Sequence, residues 1–413
     1  MGSPVTWLFL AFFTAQLAIE ASLLVLNLRR ASERHGVPPA LAGLIDPAVA
    51  QRSRAYTLAN GRFALVSMVF SAATTLVVLL SGLLPWLDRT LAAAGLQGAH
   101  RFVAFLVALS LGASLLGLPF SVYRTFVLEQ RFGFNRVGPR LWILDRVKGL
   151  ALQALLGIPL LYAVHAFMRY AGGLWWLWLF GFLLLVQVLL RWAYPTLIAP
   201  LFNRFAPLPV GPLRERLEAL ASEAGFENRG LFVMDASRRS GHSNAYFTGI
   251  VRPRIVLFDT LVQAMSVDEA ASVLAHEIGH FRRRHVHKGL ALSAAMTLAL
   301  LYALSLLVAW TPLYAAFGFD APSFHAALAL FTLGGGAFLF WMAPLGALLS
   351  RRHEYEADRY AVALARAPAS LKSALLRLNG ENLSNLHPHP WYSAWHYSHP
   401  ALVERLAAID RAA

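Results

Sequence analysis

The chain of 413 residues has no cysteine, and only three of its 36 basic residues are lysine (Lys148, Lys288 and Lys372). The first absence excludes disulfides and any zinc site built on thiolates. Charge of either sign is also scarce. Asp, Glu, Lys and Arg make up 14% of the residues, where soluble proteins carry about a quarter, and 57% are hydrophobic. Mean hydropathy is +0.53. An ordinary soluble domain is therefore excluded. Runs of roughly twenty apolar residues, enough to cross a bilayer, occur at about 5–28, 63–86, 102–123, 149–168, 173–195, 289–310 and 325–349. The first has neither a basic leader nor a small-residue cleavage site, so it reads as a retained span. The expected class is mainly α, a polytopic membrane protein with seven transmembrane helices.

The net charge of +14 does not point to nucleic acid, because the basic residues follow the spans. Loop 29–62 carries Arg29, Arg30, Arg34, Arg52, Arg54 and Arg62. Loop 124–148 carries Arg124, Arg131, Arg136, Arg140, Arg146 and Lys148. Segment 196–288 and the tail from Arg351 are also basic, whereas loop 87–101 has only Arg89 and Arg101 and loop 311–324 has neither Lys nor Arg. This alternation is the positive-inside pattern. It places the N-terminus outside and segment 196–288 and the C-terminus inside. The excess of Arg over Lys suggests a GC-rich genome, hence a bacterial inner membrane with a cytoplasmic site. In a eukaryote the same topology suits the ER membrane.

Segment 196–288 opens with PLFNRFAPLPVGP, whose prolines predict an irregular entry. LRERLEALASEAG (213–225) reads as an amphipathic helix ended by Gly225. GLFVMDAS, HSNAYFTG and RIVLFDTL read as short strands rich in β-branched and aromatic residues. Ser266 and Glu269 form a capping box, so a helix starts there and is expected to run through the histidines that follow.

That helix carries HEIGH. His276 and His280 lie about 40° apart on one face, one turn along the axis, so both imidazoles can hold one ion. Glu277 sits beside the ion, placed to take a proton from water. HExxH on a helix is the signature of zinc peptidases. A catalytic zinc wants three protein ligands and an open position, so a third must come from elsewhere. His287 is seven residues past His280, about 10 Å along the axis, and RRRHVHK reads as the anchor of the sixth span at the membrane surface. The tail offers HEYEAD. Glu354 and Asp358 share a face there, while Glu356 points about 200° from Glu354. A ligand Glu with an Asp one turn on, bonded to a zinc-bound His, is one reading; a solvated helix end is the other. Glu20, a carboxylate inside the first span, should face a cavity or a partner. His387, His389 and His396, in a Pro- and Trp-rich stretch, read as packing or surface groups.

With VLEQRFGFNR (127–136), YPTLIAPLFNRFAPLP (194–209), SGHSNAYFTG (240–249), RIVLFDTL (254–261), HEIGH, EYEAD and WHYSHPALVERL (395–406), nearly the whole chain resembles the type 1 CAAX prenyl endopeptidases, integral-membrane gluzincins. Its second half also resembles the wider group that includes heat-shock membrane zinc proteases. The resemblance implies that the spans enclose an intramembrane chamber with one zinc ion at its cytoplasmic end. It assigns His276, His280 and Glu354 as ligands, Glu277 as base, and Asp358 as orienting a zinc-bound His. It gives Asn244 to the substrate backbone, with Tyr246 beside it by period-two alternation, and His399 and Arg405 to the oxyanion. The spans and the charge alternation divide the chain into five spans with basic cytoplasmic loops (1–198), a cytoplasmic metalloprotease insert with a small β-sheet (199–288), two spans (289–350) and a cytoplasmic tail (351–413). The implied partners are the bilayer and a peptide or protein substrate, prenylated or otherwise hydrophobic, with no nucleic acid. The implied reaction is hydrolysis of a peptide bond near the substrate's C-terminus. Two rivals stand beside it, a quality-control protease for membrane proteins and a non-catalytic transporter or sensor with structural zinc.

The charge pattern has a direct test, made clean by the lack of native cysteine. A cysteine at Ala93 should react with an impermeant thiol reagent from outside the cell, and one at Ala48 should not. Opposite labelling would invert the topology.

Overall fold

The structure, a computed structural model, describes residues 2–226, 230–248 and 254–413. Several long helices open on proline, whose missing N–H has no intrahelical partner to lose at that position. α1 (Pro4–Glu33) follows Ser3, whose hydroxyl accepts from the Thr6 N–H, and α2 (Pro47–Leu80) follows Asp46, which accepts from Ala48 N–H. Gly82 then adopts φ 81°, open to glycine at no steric cost, and starts a separate short helix, α3 (Leu83–Ala93). The second span thus ends before the LLPW that its hydropathy includes. It also begins well before Phe63, so Arg52, Arg54 and Arg62 lie on helix and not in a loop. α4 (Gly98–Tyr123) and α6 (Trp175–Ala193) each run on through a π-helical turn, to Glu129 and Ile198, and α5 (Pro139–Tyr170) lies between them.

The remaining elements are β1 (Phe205–Pro207), α7 (Pro212–Glu223), β2 (Leu231–Met234), β3 (Ala245–Thr248), β4 (Arg254–Phe258), α8 (Asp259–Ala264), α9 (Val267–Arg282), α10 (His285–Val308), α11 (Thr311–Ala316), α12 (Phe324–Leu339), α13 (Ala343–Ala365), α14 (Pro368–Glu381), α15 (Pro390–His396) and α16 (Leu402–Ala412). Seven helical segments among the described residues, counting α12 and α13 as one, are long and apolar enough to cross a membrane. They span 24 to 42 residues, where about 20 suffice for the ~30 Å hydrocarbon layer. Val66, Leu115 and Leu155 on their flanks are each more than 60% exposed, a surface suited to lipid and not to water.

Two large apolar cores stand at opposite ends, and a small third cluster, Met234, Ala236 and Val256, lies on the sheet. One, centred on Phe102, Phe105 and Tyr314, knits the spans to α3 and α11. The other packs the sheet against α7, α9, α13, α14 and α16, with Leu41 and Ile45 reaching in from the α1–α2 connection. The sheet order is β1-β2-β4-β3, parallel between β2 and β4 and antiparallel elsewhere. β1 replaces the irregular entry expected from its prolines. It is only three residues long and lies at the sheet edge, where Pro207 is tolerated. β3 forms the other edge; Gly249, at the end of the strand expected from HSNAYFTG, lies outside the described residues.

Between the two cores the spans leave a cavity of about 910 Å³, lined by Glu20, Asn27, Tyr56, Asn60, Thr75 and Arg124 among others. A second cavity, of about 620 Å³, lies over α9 at the start of β3. Asn382, Ser384, Asn385 and Tyr397 line both, so the intramembrane space and the cavity over the HEIGH helix adjoin at these residues.

Candidate active site

α9 begins as its sequence dictates. Ser266 Oγ accepts from the Glu269 N–H, and the Glu269 carboxylate accepts from the Ser266 N–H. Glu269 also accepts from Ser373 Oγ and pairs with Arg377, tying α14 alongside. Residues 269–276 are all buried, so the helix is held on every side. Gly279 decides how closely α13 can cross. A Cβ there would lie 3.0 Å from the Ala357 carbonyl oxygen and 3.1 Å from its Cα. With hydrogen in that place, the two backbones meet and α13 delivers Glu354 to the histidines.

His276, His280 and Glu354 form the one His/Asp/Glu group among the described residues whose ligand atoms converge tightly enough for a metal ion. His276 Nε2 lies 3.2 Å from His280 Nε2 and 3.5 Å from Glu354 Oε2, and His280 Nε2 lies 3.2 Å from Glu354 Oε1. Tetrahedral zinc with bonds of about 2.0–2.1 Å separates its ligands by roughly 3.3 Å. The charges fit as well. Glu277, Glu354 and Asp358 gather around one guanidinium, Arg405, leaving the buried cluster formally two charges negative. Glu354 Oε2 is buried without a hydrogen-bond donor. Burial alone disfavours a charged imidazole at His276, yet its bonds to Asp358 and Glu354 outweigh that and lift its pKa to about 9. The pocket is built to hold positive charge.

Asp358 Oδ1 is 2.8 Å from His276 Nδ1, which fixes that ring with Nε2 inward. Arg405 clamps Asp358 through two bonds of 2.6 and 2.9 Å, and lies 3.6 Å from Glu354 Oε2. Glu277 lines the cavity, and burial raises its pKa. His399 Nε2 stands 3.5 Å from Glu354 Oε1, and Asn244 lines the same cavity.

Three sequence expectations are corrected. Tyr246 does not join Asn244 at the cavity. It packs with Phe258 and Met234 on the opposite face of the sheet, because Asn244 precedes β3 and strand alternation does not govern it. α9 does not run through all the histidines. It ends at Arg282, and Arg284 adopts φ 56°, so α10 starts in a new direction and its first residue turns back. His285 is in consequence no surface anchor but a buried ring, 3.0 Å from His280 through their Nδ1 atoms. His396, expected as a packing or surface group, is exposed on the cavity wall. His389 caps α15, and His387 bonds the Gly36 carbonyl. Asn382 was not singled out from the sequence. Its amide donates to the Ser243 carbonyl and accepts from the Ser243 N–H, holding the chain just before β3.

Comparison with known proteins agrees with this geometry. Residues 207–413 match the model of peptidase family M48, and residues 27–204 match that of the CAAX prenyl protease N-terminal region with five membrane helices. The chain belongs to peptidase family M48. The CAAX prenyl protease 1 homolog of Oryza sativa subsp. japonica is 38% identical over 393 residues, covering 93% of this chain and 92% of the relative. CAAX prenyl protease 1 of Saccharomyces cerevisiae is 38% identical over 427 residues, covering 97% and 94%. The Homo sapiens homolog is 31% identical over 420 residues, covering 90% and 88%. The crystal structure of S. mikatae Ste24p superposes with a TM-score of 0.91 at 35% identity, covering 99% of each chain. This M48 peptidase is thus a multi-pass membrane metalloendopeptidase, and the reading as a transporter or sensor falls.

The α9–α13 crossing generates one prediction. Gly279→Val must push the backbones apart, so purified protein should retain a small fraction of the wild-type metal content. Full metal occupancy in that variant would show that the contact does not set the site.

Proposed function

We propose that this M48 peptidase is a zinc endopeptidase that cuts near the C-terminus of a prenylated or similarly hydrophobic, membrane-associated polypeptide, from a site on the cytoplasmic side of its membrane. One observation carries this reading. His276 and Glu354 of the triangle, with Glu277, line a cavity that shares the wall residues Asn382, Ser384, Asn385 and Tyr397 with a larger one among the spans. A greasy group can stay in the membrane region while the peptide beyond it reaches the metal site. The relatives named for CAAX prenyl proteolysis support the same substrate class.

His276, His280 and Glu354 would hold the zinc, which supplies Lewis acidity at the scissile carbonyl when bound. The protein's own groups do the rest. Glu277 takes a proton from the attacking water and returns one to the leaving amine. Its burial moves its pKa upward, toward the range where a base works well at neutral pH. Arg405, already fixed by Asp358, and His399 on the cavity wall offer donors to the developing oxyanion without rearranging. The substrate backbone pairs along the outer edge of β3, where main-chain hydrogen bonds are independent of substrate side chains, and Asn244 holds its end.

Glu277→Gln keeps the size of the side chain and should keep the metal, because Glu277 lies outside the ligand triangle. Its rate should fall by at least about a hundredfold. Wild-type activity with metal bound stoichiometrically would contradict the assignment.

Substrate choice is tested by matched peptides. Each methylene removed from water contributes about 0.8 kcal/mol, so burying only a few lowers KM about tenfold or more. A farnesylated peptide should show that drop against its plain counterpart. Asn244→Ala should slow both by similar factors. Indifference to the lipid would favour a quality-control protease, and an Asn244 effect confined to the lipidated peptide would remove it from the backbone.

A further inference from the structure

The two histidines of the triangle are supported differently. His276 meets a carboxylate directly, at Asp358. His280 meets another imidazole, His285, whose Nε2 lies 3.1 Å from Glu356 Oε2. His285 is itself buried, and it stacks on His353 with centroids 4.0 Å apart and planes 13° apart, so its ring cannot turn freely. Glu356 stands on α13 two residues after Glu354 and on the opposite side, as helical phase requires. It is far from idle there.

We infer that Glu356 and His285 are positioning residues which fix the tautomer and ring orientation of His280 through a relay of two hydrogen bonds. The inference rests on the assignment of His280 as a metal ligand. The protons follow from the acceptors. A carboxylate only accepts, so His285 carries its hydrogen on Nε2 and donates it to Glu356. The bare His285 Nδ1 must then accept, so His280 carries its hydrogen on Nδ1 and keeps an Nε2 lone pair facing His276 and Glu354. If the carboxylate is removed, His285 is free to place its hydrogen on Nδ1. It then meets the Nδ1 hydrogen of His280 head-on, and His280 escapes only by moving that hydrogen to the nitrogen meant for the metal.

Lys288 and Arg352 also approach Glu356, at 3.8 and 3.5 Å. The bland alternative is that Glu356 serves only that surface ion pairing. Metal affinity separates the two. Full-length protein in detergent is loaded with zinc and titrated with a graded chelator, and the Co²⁺-substituted form is followed by its visible d–d bands. Removing an outer partner of a ligating histidine typically costs 10–100-fold in metal affinity. Glu356→Leu should fall in that range with shifted cobalt bands. Glu356→Gln should stay near wild type, because its amide oxygen still accepts from His285. In a His285→Gln background, whose amide oxygen can accept directly from His280, Glu356→Leu should have no further effect. Wild-type affinity in Glu356→Leu, equal loss in Glu356→Gln, or an undiminished effect in the His285→Gln background would each overturn the relay. Glu354→Ala is the control for the reading beneath it. Full zinc retention in that variant would mean that the triangle itself is wrong, whatever the relay does.

Discussion

The contact between Gly279 on α9 and the backbone of Ala357 on α13 is the constraint from which the site follows. HEIGH supplies only two of the triangle's three groups, His276 and His280, on one helix. The third comes from a helix that begins inside the membrane region. The absence of a side chain at Gly279 lets that helix come within 3.0–3.1 Å of where a Cβ would stand. Glu354 then faces the two imidazoles, Asp358 reaches the outer nitrogen of His276 one turn later, and Glu356 falls on the far side against His285. One crossing thus sets the triangle and the outer support of both histidines.

The same crossing joins the site to the membrane. α13 continues α12 through a single turn of 3₁₀ helix, so the residue that completes the triangle lies on the extension of a span. α14 and the segment after it return along α9, and Asn382 there grips Ser243 while lining both cavities. The start of the edge strand, the metal triangle and the intramembrane space are therefore tied by short stretches of chain. Arg405 closes the arrangement from α16, bonded to Asp358 and close to Glu354, so the last helix of the chain is pinned to the site.

Much of this was legible in the sequence, and for one reason. Helical periodicity is local and strong, so the common face of His276 and His280 and the opposed faces of Glu354 and Glu356 could be read from spacing alone. The Ser266–Glu269 cap marked where the helix starts, and hydropathy with charge alternation marked the spans. What was missed depended on breaks in helices and strands that residue spacing does not reveal. Arg284 takes a left-handed conformation with neither Gly nor Asn to signal it, and that turn alone brings His285 back to His280. Gly82 did carry a signal, but the apolar LLPW beyond it hid the break from a hydropathy window. Tyr246 was misplaced because alternation holds only within a strand, and β3 begins one residue after Asn244. β1 is three residues with a proline, below what sequence pattern can resolve.

The central claim is that His276, His280 and Glu354, and not Glu277, hold a single zinc ion. It is tested most directly by anomalous diffraction at the zinc edge from crystals of the purified protein. The account predicts one anomalous peak per chain, about 2.0–2.2 Å from the three ligand atoms, with the Glu277 carboxylate outside bonding distance. A peak bonded to Glu277, or one lying away from the triangle, would contradict it.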